Sequence, residues 1–271
     1  MLTIIPFPCL VHFVIVNTFP KLWLYFPGTT WVEEITYLIL NDCDISKARA
    51  SSIDDRVAFL EVGIPGMKAM DKLNSMTSQR LIRTHLKTSF FQKQMKDGMY
   101  KTILVLRNVK DQLVSYYHFY RMNSGFGNFT GTFDEFFELF RKGQLSYGSW
   151  FDHVLGWWQL KQQMPEKIMV VKYEDIHKDP RKMISNLAEF LGKKLSQEDV
   201  EKIAGATSFE EMKTKGNLHT KHSGMNEEIS PFMRKGKVGD WQTHFSQEQS
   251  QYVDELFAKK MEGSTLSFDF K

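Results

Sequence analysis

A short apolar strand followed by a helix recurs three times along this 271-residue chain. Residues 11–19 (VHFVIVNTF) are apolar at odd and even positions alike, which is typical of a strand covered on both faces. Residues 101–108 (KTILVLRN) and 167–175 (KIMVVKYED) are similar short runs. Strands that alternate with helices predict an α/β fold, with a parallel sheet flanked by helices on both faces. Ligands in such sheets bind at the carboxyl ends of the strands.

The residues after each predicted strand carry helix signals. Thr29 or Thr30 is suited to cap a helix, because a threonine hydroxyl accepts a hydrogen bond from a free amide of the first turn. The second strand leads into a helix over residues 110–122, and the helix after the third strand has Pro180 near its start. TFDEFFELFRKG and SYGSWFDHVLGWWQLKQQ predict aromatic-rich helices. Residues 217–239 lack apolar periodicity and predict a long surface excursion.

Composition and charge narrow the function classes. The chain is 42% hydrophobic and 25% charged, as in an ordinary globular protein. Its formal charge of +3 is too small to indicate nucleic-acid binding. Two cysteines, Cys9 and Cys43, make no disulfide framework, which favours a reducing, cytoplasmic compartment. We predict a single domain over residues 1–271, with an irregular N-terminus at residues 1–12.

The N-terminal segment leaves two interpretations open. Residues 1–20 contain no Lys, Arg, Asp or Glu and approach the roughly 20 apolar residues that a membrane-spanning helix needs. Three prolines and the absence of a positively charged start argue against a signal or an anchor. We therefore favour a buried strand after an irregular start, and we expect no membrane partner.

Two predicted strand ends carry residues suited to bind phosphate. The unit around GTTW (28–31) is a P-loop-like strand-loop-helix, because the free amides at a helix start attract anions. An ordinary capped helix explains the same letters. Arg107 ends the second strand, with Ser115 inside the following helix, and a guanidinium can donate two hydrogen bonds to one phosphate. An arginine that merely supports a loop is the alternative.

Two further segments carry candidates for chemistry. In RTHLK, His85 is of the residue type that accepts a proton near neutral pH, although a single histidine is more often structural. In FMRKGKVGDW, Arg234 and Lys235 precede Gly236, which permits a close backbone approach. This loop is suited to hold a second phosphate, and a solvated basic turn is the alternative.

Taken together and in this order, these segments resemble the cytosolic sulfotransferase family. The similar blocks are RTHL, LRNVKDQLVSYYHFY, SYGSWFDHVLGWW, YEDIHKDPRKMI, TSFEEMK and PFMRKGKVGDW, and the resemblance runs from about Phe13 to Phe270. The family moves a sulfuryl group from 3′-phosphoadenosine 5′-phosphosulfate (PAPS) to a hydroxyl or amine of a small molecule. The resemblance implies this fold and reaction, for an acceptor that is a phenol, alcohol, steroid or amine. It also implies PAPS as co-substrate and no metal.

The resemblance assigns roles to particular positions. The 5′-phosphate side corresponds to Gly28, Thr29 and Thr30, followed by Trp31, which would stack on adenine. The 3′-phosphate side corresponds to Arg107, Ser115, Arg234, Lys235 and Gly236. The adenosine pocket corresponds to Tyr173, Thr207, Phe209 and Met212, and Phe232 completes the donor-binding set.

The resemblance also assigns the groups that act in transfer. His85 corresponds to the base that removes the acceptor's proton as its oxygen or nitrogen attacks sulfur. Lys21 corresponds to the loop lysine that neutralises the bridging oxygen, and Arg83 replaces the lysine usual before THL. Two alternatives stay open: a nucleotide-binding homologue with impaired catalysis, and a P-loop nucleotide kinase that requires magnesium.

The loop before the first helix departs from the family pattern Tyr-Pro-Lys-Ser-Gly-Thr-Thr-Trp. If TFPK (18–21) matches its first half, the six residues from Leu22 to Pro27 replace one serine. Without a gap, Phe26 and Pro27 take the lysine and serine positions, and no cation remains. We favour the first alignment because the preceding strand also matches. An incorrectly joined coding segment is our hypothesis for the insertion.

The partners are less clearly indicated. The family's C-terminal dimer motif is altered here, which leaves a homodimer open without its usual contact; the corresponding positions are Gln242, Ser246, Gln247 and Gln251. The acceptor is a small molecule that the sequence does not identify. Four aromatic residues are candidates to line its pocket and are equally explained as core: Phe59, Phe126, Phe129 and Phe133.

Overall fold

The computed structural model describes residues 12–17, 29–59, 76, 80–97, 100–218 and 224–271. Five strands in these ranges form one sheet: β1 (His12–Asn17), β2 (Val57–Phe59), β3 (Arg80–Thr84), β4 (Lys101–Leu106) and β5 (Ile168–Lys172). Their spatial order is β2-β3-β1-β4-β5.

The described ranges contain twelve α-helices. The first six are α1 (Thr29–Leu40), α2 (Ile45–Ala50), α3 (Ile53–Arg56), α4 (Gln92–Lys96), α5 (Val109–Met122) and α6 (Phe133–Arg141). The other six are α7 (Trp150–Gln163), α8 (Tyr173–Lys178), α9 (Pro180–Leu191), α10 (Gln197–Ala206), α11 (Phe209–Lys215) and α12 (Gln247–Lys260).

The α/β class is confirmed, with two parallel strand pairs. β2 pairs with β3 and β4 pairs with β5 in parallel. Every β4 residue from Thr102 to Leu106 is buried. Because successive side chains of a strand point to opposite faces, this burial shows that both faces of the sheet are covered at β4.

One strand departs from a fully parallel sheet. β1 is antiparallel to both neighbours, with Asn17 opposite Arg80 and Val16 opposite Lys101. Its carboxyl end therefore lies where β3 and β4 begin. Helix α1 starts at the other edge, since Trp31 packs on Tyr173 directly after β5. The end of β1 and the start of α1 are thus separated by the height of the sheet, unlike in the P-loop-like unit predicted above. A run such as residues 11–19, which is apolar at odd and even positions alike, does not itself specify the direction of the strand.

The predicted helices after the first three strand signals are all present. α1, α5 and α9 match them, and α9 ends at Gly192, which takes the left-handed φ of +76° expected of a terminating glycine. The described residues between 217 and 239 contain no helix or strand, as predicted. Two strands, β2 and β3, were not predicted, because they are short and β3 carries two arginines.

Candidate functional site

Arg107 follows β4 directly, and three groups hold its guanidinium. Nη2 donates a hydrogen bond to the Lys237 carbonyl oxygen at 2.7 Å and lies 3.8 Å from Oδ2 of Asp111. The guanidinium carbon lies 4.2 Å from the centre of the Tyr173 ring, a cation–π distance. The residue is buried, and among the described residues its Nε has no hydrogen-bond partner. Because an unpaired buried N–H is costly, this nitrogen is well suited to bind an anion.

Asp111 attaches residues 232–241, here called the basic loop, to the start of α5. Its Oδ2 accepts the N–H of Gly239 at 2.8 Å, and its Oδ1 accepts the N–H of Trp241 at 2.9 Å. Oδ2 also accepts from Nδ2 of Asn108, the N-cap of α5, at 2.9 Å. These bonds fix the basic loop at the carboxyl edge of β4.

Two of the three cations of the basic loop, Arg234 and Lys235, pair with Asp240. Arg234 Nη2 lies 2.5 Å from one carboxylate oxygen and Lys235 Nζ lies 2.5 Å from the other. Burial raises the pKa of Asp240, but hydrogen bonds and charge from Lys235 and Arg234 outweigh it and lower this pKa to about 2. A carboxylate that stays ionised therefore holds the two cations side by side.

Gly236 brings the basic loop against the corner between α10 and α11. Its φ is +61°, and a Cβ there would lie 2.2 Å from Cδ2 of Phe209, so the ring packs directly on the glycine. The Gly236 carbonyl oxygen lies 3.0 Å from His177 Nε2. Thr207 and Met212 are buried beside Phe209 in sequence. The predicted adenosine-pocket residues of this corner therefore adjoin the basic loop.

The start of α1 reaches the same edge of the sheet. The rings of Trp31 and Tyr173 lie 5.8 Å apart, edge to face. Thr29 and Thr30 are buried in the first turn. Within the part of the chain that the structure describes, the Thr29 hydroxyl and the Trp31 indole N–H have no hydrogen-bond partner. Together with Nε of Arg107, they are buried polar groups that fit a nucleotide with several phosphate oxygens.

These contacts join segments that are distant in sequence. Trp31 touches Tyr173, Tyr173 lies under Arg107, and Arg107 binds the basic loop at Lys237. A cavity of about 500 Å³ opens beside the basic loop and is lined in part by Phe209, Lys235 and Gly236. Most of the predicted donor-binding residues thus lie at one edge of the sheet.

His85 follows β3 and lies between two aromatic rings. The Phe59 ring meets it edge-on at 5.2 Å, and the Tyr147 ring lies 4.5 Å away, tilted by 34°. The histidine is only 2% exposed. Of the predicted pocket aromatics, Phe59 contacts His85 directly and Phe126 lies 6.3 Å from Tyr147. An acceptor that reaches this imidazole meets apolar rings.

Arg83 is taken up by a buried ion-pair cluster. Its Nη2 is bonded to Asp54 Oδ1, and its Nη1 lies 3.5 Å from Glu33 Oε2. Burial raises the pKa of Glu33 to about 7, more than the Arg83 charge lowers it. The guanidinium also lies 4.9 Å from the Phe59 ring centre. These contacts give Arg83 a structural use, and its predicted role in transfer stays a prediction.

The remaining predicted residues are placed as follows. Ser115 is half-buried in α5, one turn beyond Asp111 and on the same helix face. Phe232 is half-buried in the basic loop, and its N–H donates to Glu227 Oε2 at 3.3 Å. Lys21 and Gly28 lie outside the described residues, as does the insertion between them.

Sequence reasoning missed three residues of this region. Asp111 carries a usable signal, because an Asn followed three residues later by Asp is typical of a helix start. Asp240 follows the basic residues closely enough to have been proposed as their partner. Tyr147 carries no such signal, because its contact with His85 depends on how distant segments pack.

The described residues contain neither a metal-type cluster nor a membrane-spanning helix, and Cys43 is a free cysteine there. No group of three or more His, Cys, Asp or Glu side chains there has the arrangement of a metal site. None of the helices in those ranges has the length and apolar character to cross a membrane. Cys43 is buried and, within the described ranges, forms no disulfide.

Comparison with known proteins identifies the family. The family model described as "Sulfotransferase domain" matches residues 14–265. The chain is 42% identical to rabbit (Oryctolagus cuniculus) sulfotransferase 1C2 over 259 residues, 94% of this chain and 85% of the relative. Mouse sulfotransferase SULT7A1 complexed with PAP superposes with a TM-score of 0.72 at 31% identity, over 90% of this chain and 85% of that one. Retinol dehydratase in complex with androsterone and inactive cofactor PAP gives 0.77 at 25%, over 89% and 79%. This chain belongs to the sulfotransferase family and is a transferase.

Proposed function

We propose that the chain transfers a sulfuryl group from PAPS to a hydroxyl or amine of a small apolar molecule, with His85 as the base. The observation that carries this proposal is the convergence of Trp31, Tyr173, Arg107 and the basic loop at one sheet edge. Support also comes from the two solved relatives reported above, both of which are complexes with PAP.

The basic loop and α5 are suited to the 3′-phosphate of the donor. Arg107 offers an unpaired Nε, and Arg234 and Lys235 offer cations already gathered by Asp240. Ser115 can add a hydroxyl from the same helix face as Asp111. A phosphate bound here would replace the Asp240 carboxylate as a partner of Arg234 and Lys235. Because the phosphate is a dianion, the positive charges of these two side chains stay neutralised.

The adenosine and 5′ ends are suited to the other side of the edge. Trp31 and Phe209 supply aromatic surfaces for the base, and Tyr173, Thr207 and Met212 complete its walls. The first-turn threonines of α1, Thr29 and Thr30, offer amides and hydroxyls for the 5′-phosphate side, with Gly28 preceding them. When bound, PAPS supplies the sulfuryl group and leaves as adenosine 3′,5′-bisphosphate.

His85 would receive the acceptor's proton. Its ring lies between Phe59 and Tyr147, which exclude water and favour an acceptor with an aromatic or apolar body, such as a phenol. A proton held on the imidazole leaves the acceptor oxygen or nitrogen free to attack. Lys21 remains the proposed cation for the bridging oxygen.

Replacing the base tests the reaction. We expect His85→Ala to lower the turnover of PAPS with a simple phenol by about 10²–10⁴-fold, the usual contribution of a positioned base. Affinity for adenosine 3′,5′-bisphosphate, measured by calorimetry, should stay within twofold and serves as the control for folding. Turnover that survives the change would remove His85 from the mechanism.

A specific observation favours a second candidate, a nucleotide-binding homologue with impaired transfer. The end of β1 and the start of α1 lie at opposite edges of the sheet, so the described strand and helix do not form a tight turn around a donor. Tight binding of adenosine 3′,5′-bisphosphate without transfer to a broad acceptor panel would support this candidate. The family match gives no support to the nucleotide kinase.

The remaining expectations stay proposals. We propose a cytoplasmic location, which the small number of cysteines in the sequence favours. We also propose one domain over residues 1–271, no metal and no nucleic-acid partner. The altered dimer motif leaves the homodimer to be tested by light scattering.

A further inference from the structure

The turn that carries Tyr147 has an unusual backbone. Tyr147 has φ of +70° and Gly148 has φ of +72°, so two successive residues are left-handed. The turn is closed by a hydrogen bond from the Gly148 N–H to the Leu145 carbonyl oxygen at 3.1 Å. For a tyrosine this conformation is unfavourable, because Cβ approaches the following carbonyl oxygen. Other contacts must therefore hold it.

Two tyrosines of α5 supply those contacts, all of them to Ser146. Tyr120 Oη donates to Ser146 Oγ at 2.6 Å and accepts the Ser146 N–H at 2.7 Å. Tyr116 Oη donates to the Ser146 carbonyl oxygen at 2.9 Å. The residue before Tyr147 is thus held by its N–H, its side chain and its carbonyl at once.

The held turn aims an aromatic ring at the proposed base. The Tyr147 ring lies 4.5 Å from the His85 imidazole, and the Phe59 ring meets the same imidazole edge-on at 5.2 Å. Strained backbone conformations cluster at active sites, where they help to position functional side chains. Helix α5 also carries Asp111, which holds the basic loop, so one helix connects the two halves of the proposed site.

We propose that Tyr120 is a positioning residue for His85, acting through Ser146 and Tyr147. This rests on the proposed function, in which His85 is the base. The Tyr120 hydroxyl stabilises the left-handed turn through its hydrogen bonds to Ser146. The turn keeps the Tyr147 ring in contact with the imidazole of His85. This ring contact fixes the orientation in which the imidazole meets the acceptor. Tyr120 itself does not need to touch substrate.

Tyr120→Phe removes only the hydroxyl, and Tyr117→Phe is a matched control. Tyr117 lies in the same helix, is 9% exposed against 8% for Tyr120, and donates one hydrogen bond elsewhere, to the Gly131 carbonyl oxygen at 3.2 Å. With PAPS and a phenol, we expect Tyr120→Phe to lower kcat at least fivefold with KM for PAPS unchanged. Tyr117→Phe should change neither.

A readout independent of activity separates this proposal from the proposed function. In protein labelled at histidine Cε1, the His85 resonance is identified by its loss in His85→Ala. We expect Tyr120→Phe to move that resonance, because the ring current of Tyr147 changes, and Tyr117→Phe to leave it in place. If the wild type transfers no sulfuryl group, or if His85→Ala keeps its turnover, the proposed function is wrong. The His85 resonance still tests whether Tyr120 positions His85 in that case.

The proposal is overturned if Tyr120→Phe folds and leaves both the His85 resonance and kcat as in the wild type. If Tyr120→Phe does not fold in a thermal unfolding assay, Ser146→Ala takes its place, because it removes one of the hydroxyl contacts and keeps the backbone ones. A smaller shift of the His85 resonance in the same direction is then expected, and no shift overturns the proposal.

Discussion

Burial raises the pKa of two carboxyl groups on different sides of the proposed site, yet the two pKa values end up shifted in opposite directions. Asp240, in the basic loop, has a pKa of about 2, because hydrogen bonds and charge from Lys235 and Arg234 outweigh the effect of burial. Glu33, under the start of α1, has a pKa of about 7, because burial outweighs the charge of Arg83 at 3.5 Å. The 3′-phosphate side thus has an excess of closely placed cations, and the α1 side does not.

The difference in cations around Asp240 and Glu33 indicates that the proposed 3′-phosphate half of the site is better arranged to bind an anion than the proposed 5′ half. On the 3′ side, Arg107 is positioned by the end of a buried strand and by α5. On the 5′ side, the predicted cation Lys21 depends on a connection between Asn17 and Thr29, which lie at opposite edges of the sheet. The position of a side chain at the end of a buried strand is fixed by the packing of the core. The position of a side chain in a long connection is fixed only if a tight turn constrains the backbone there.

Titrating Glu33 should give the largest effect. Its folded pKa of about 7 lies above its ordinary value of 4.5, so its stabilising contribution is complete below about pH 4.5 and is lost as pH rises through about 7. At about 1.4 kcal/mol per pH unit, the loss is about 3 kcal/mol. We expect urea unfolding of the wild type to lose this stability relative to Glu33→Gln between about pH 5 and pH 8.

The exposed carboxyl Glu198 in α10 provides the control for that titration. Glu198→Gln should follow the wild type at each pH. If Glu33→Gln also follows the wild type, the contrast between Glu33 and Asp240 is not real.

Removing Arg107 should give the next largest effect. A hydrogen bond to a charged group contributes about 1.5–3 kcal/mol, so Arg107→Ala should weaken binding of adenosine 3′,5′-bisphosphate about 10–100-fold. Adenosine 5′-phosphate, which lacks the 3′-phosphate, should lose less than about twofold in calorimetry. Arg181→Ala, at an exposed ion pair with Glu201, is the control. Equal losses for both nucleotides would detach Arg107 from the 3′-phosphate.

Shortening the insertion should improve the weaker half of the site. Replacing Leu22–Pro27 by one serine is expected to raise affinity for adenosine 3′,5′-bisphosphate about tenfold, because it restores a tight approach of Lys21. A variant with six Gly and Ser residues in the same place keeps the length and removes the apolar groups. An equal gain in both variants would mean that the apolar content of the insertion, and not its length, weakens nucleotide binding. No gain in either variant would mean that the insertion does not weaken binding.

Adding a methyl group to the basic loop should give the smallest effect. Gly236→Ala places Cβ 2.2 Å from Phe209 Cδ2, so the ring or the loop must move, and we expect about fivefold weaker nucleotide binding. Gly239→Ala has a similar φ, +83°, but its nearest contact is at 3.7 Å. Both variants therefore carry the backbone strain, and only the first displaces Phe209. Equal binding by the two would mean that Phe209 does not contact the nucleotide.

Local patterns predicted much of the architecture. The strand β4 and the helix α5 followed from apolar patterns that lie next to each other in sequence. Arg107 was found because it directly follows such a strand. In contrast, β2 is too short to stand out and β3 is short and carries two arginines, and the role of His85 was assigned only by resemblance.

The sequence by itself determined the α/β class, the family and the positions of the cations, because periodicity and motif order are written in neighbouring residues. Only the tertiary structure decided the direction of β1, the capture of Arg83 by Glu33 and Asp54, and the ring of Tyr147 on His85. Such contacts join residues far apart in the chain, as Arg107 and Lys237 are, 130 positions apart. Their energy depends on burial and distance after folding, which no local pattern contains.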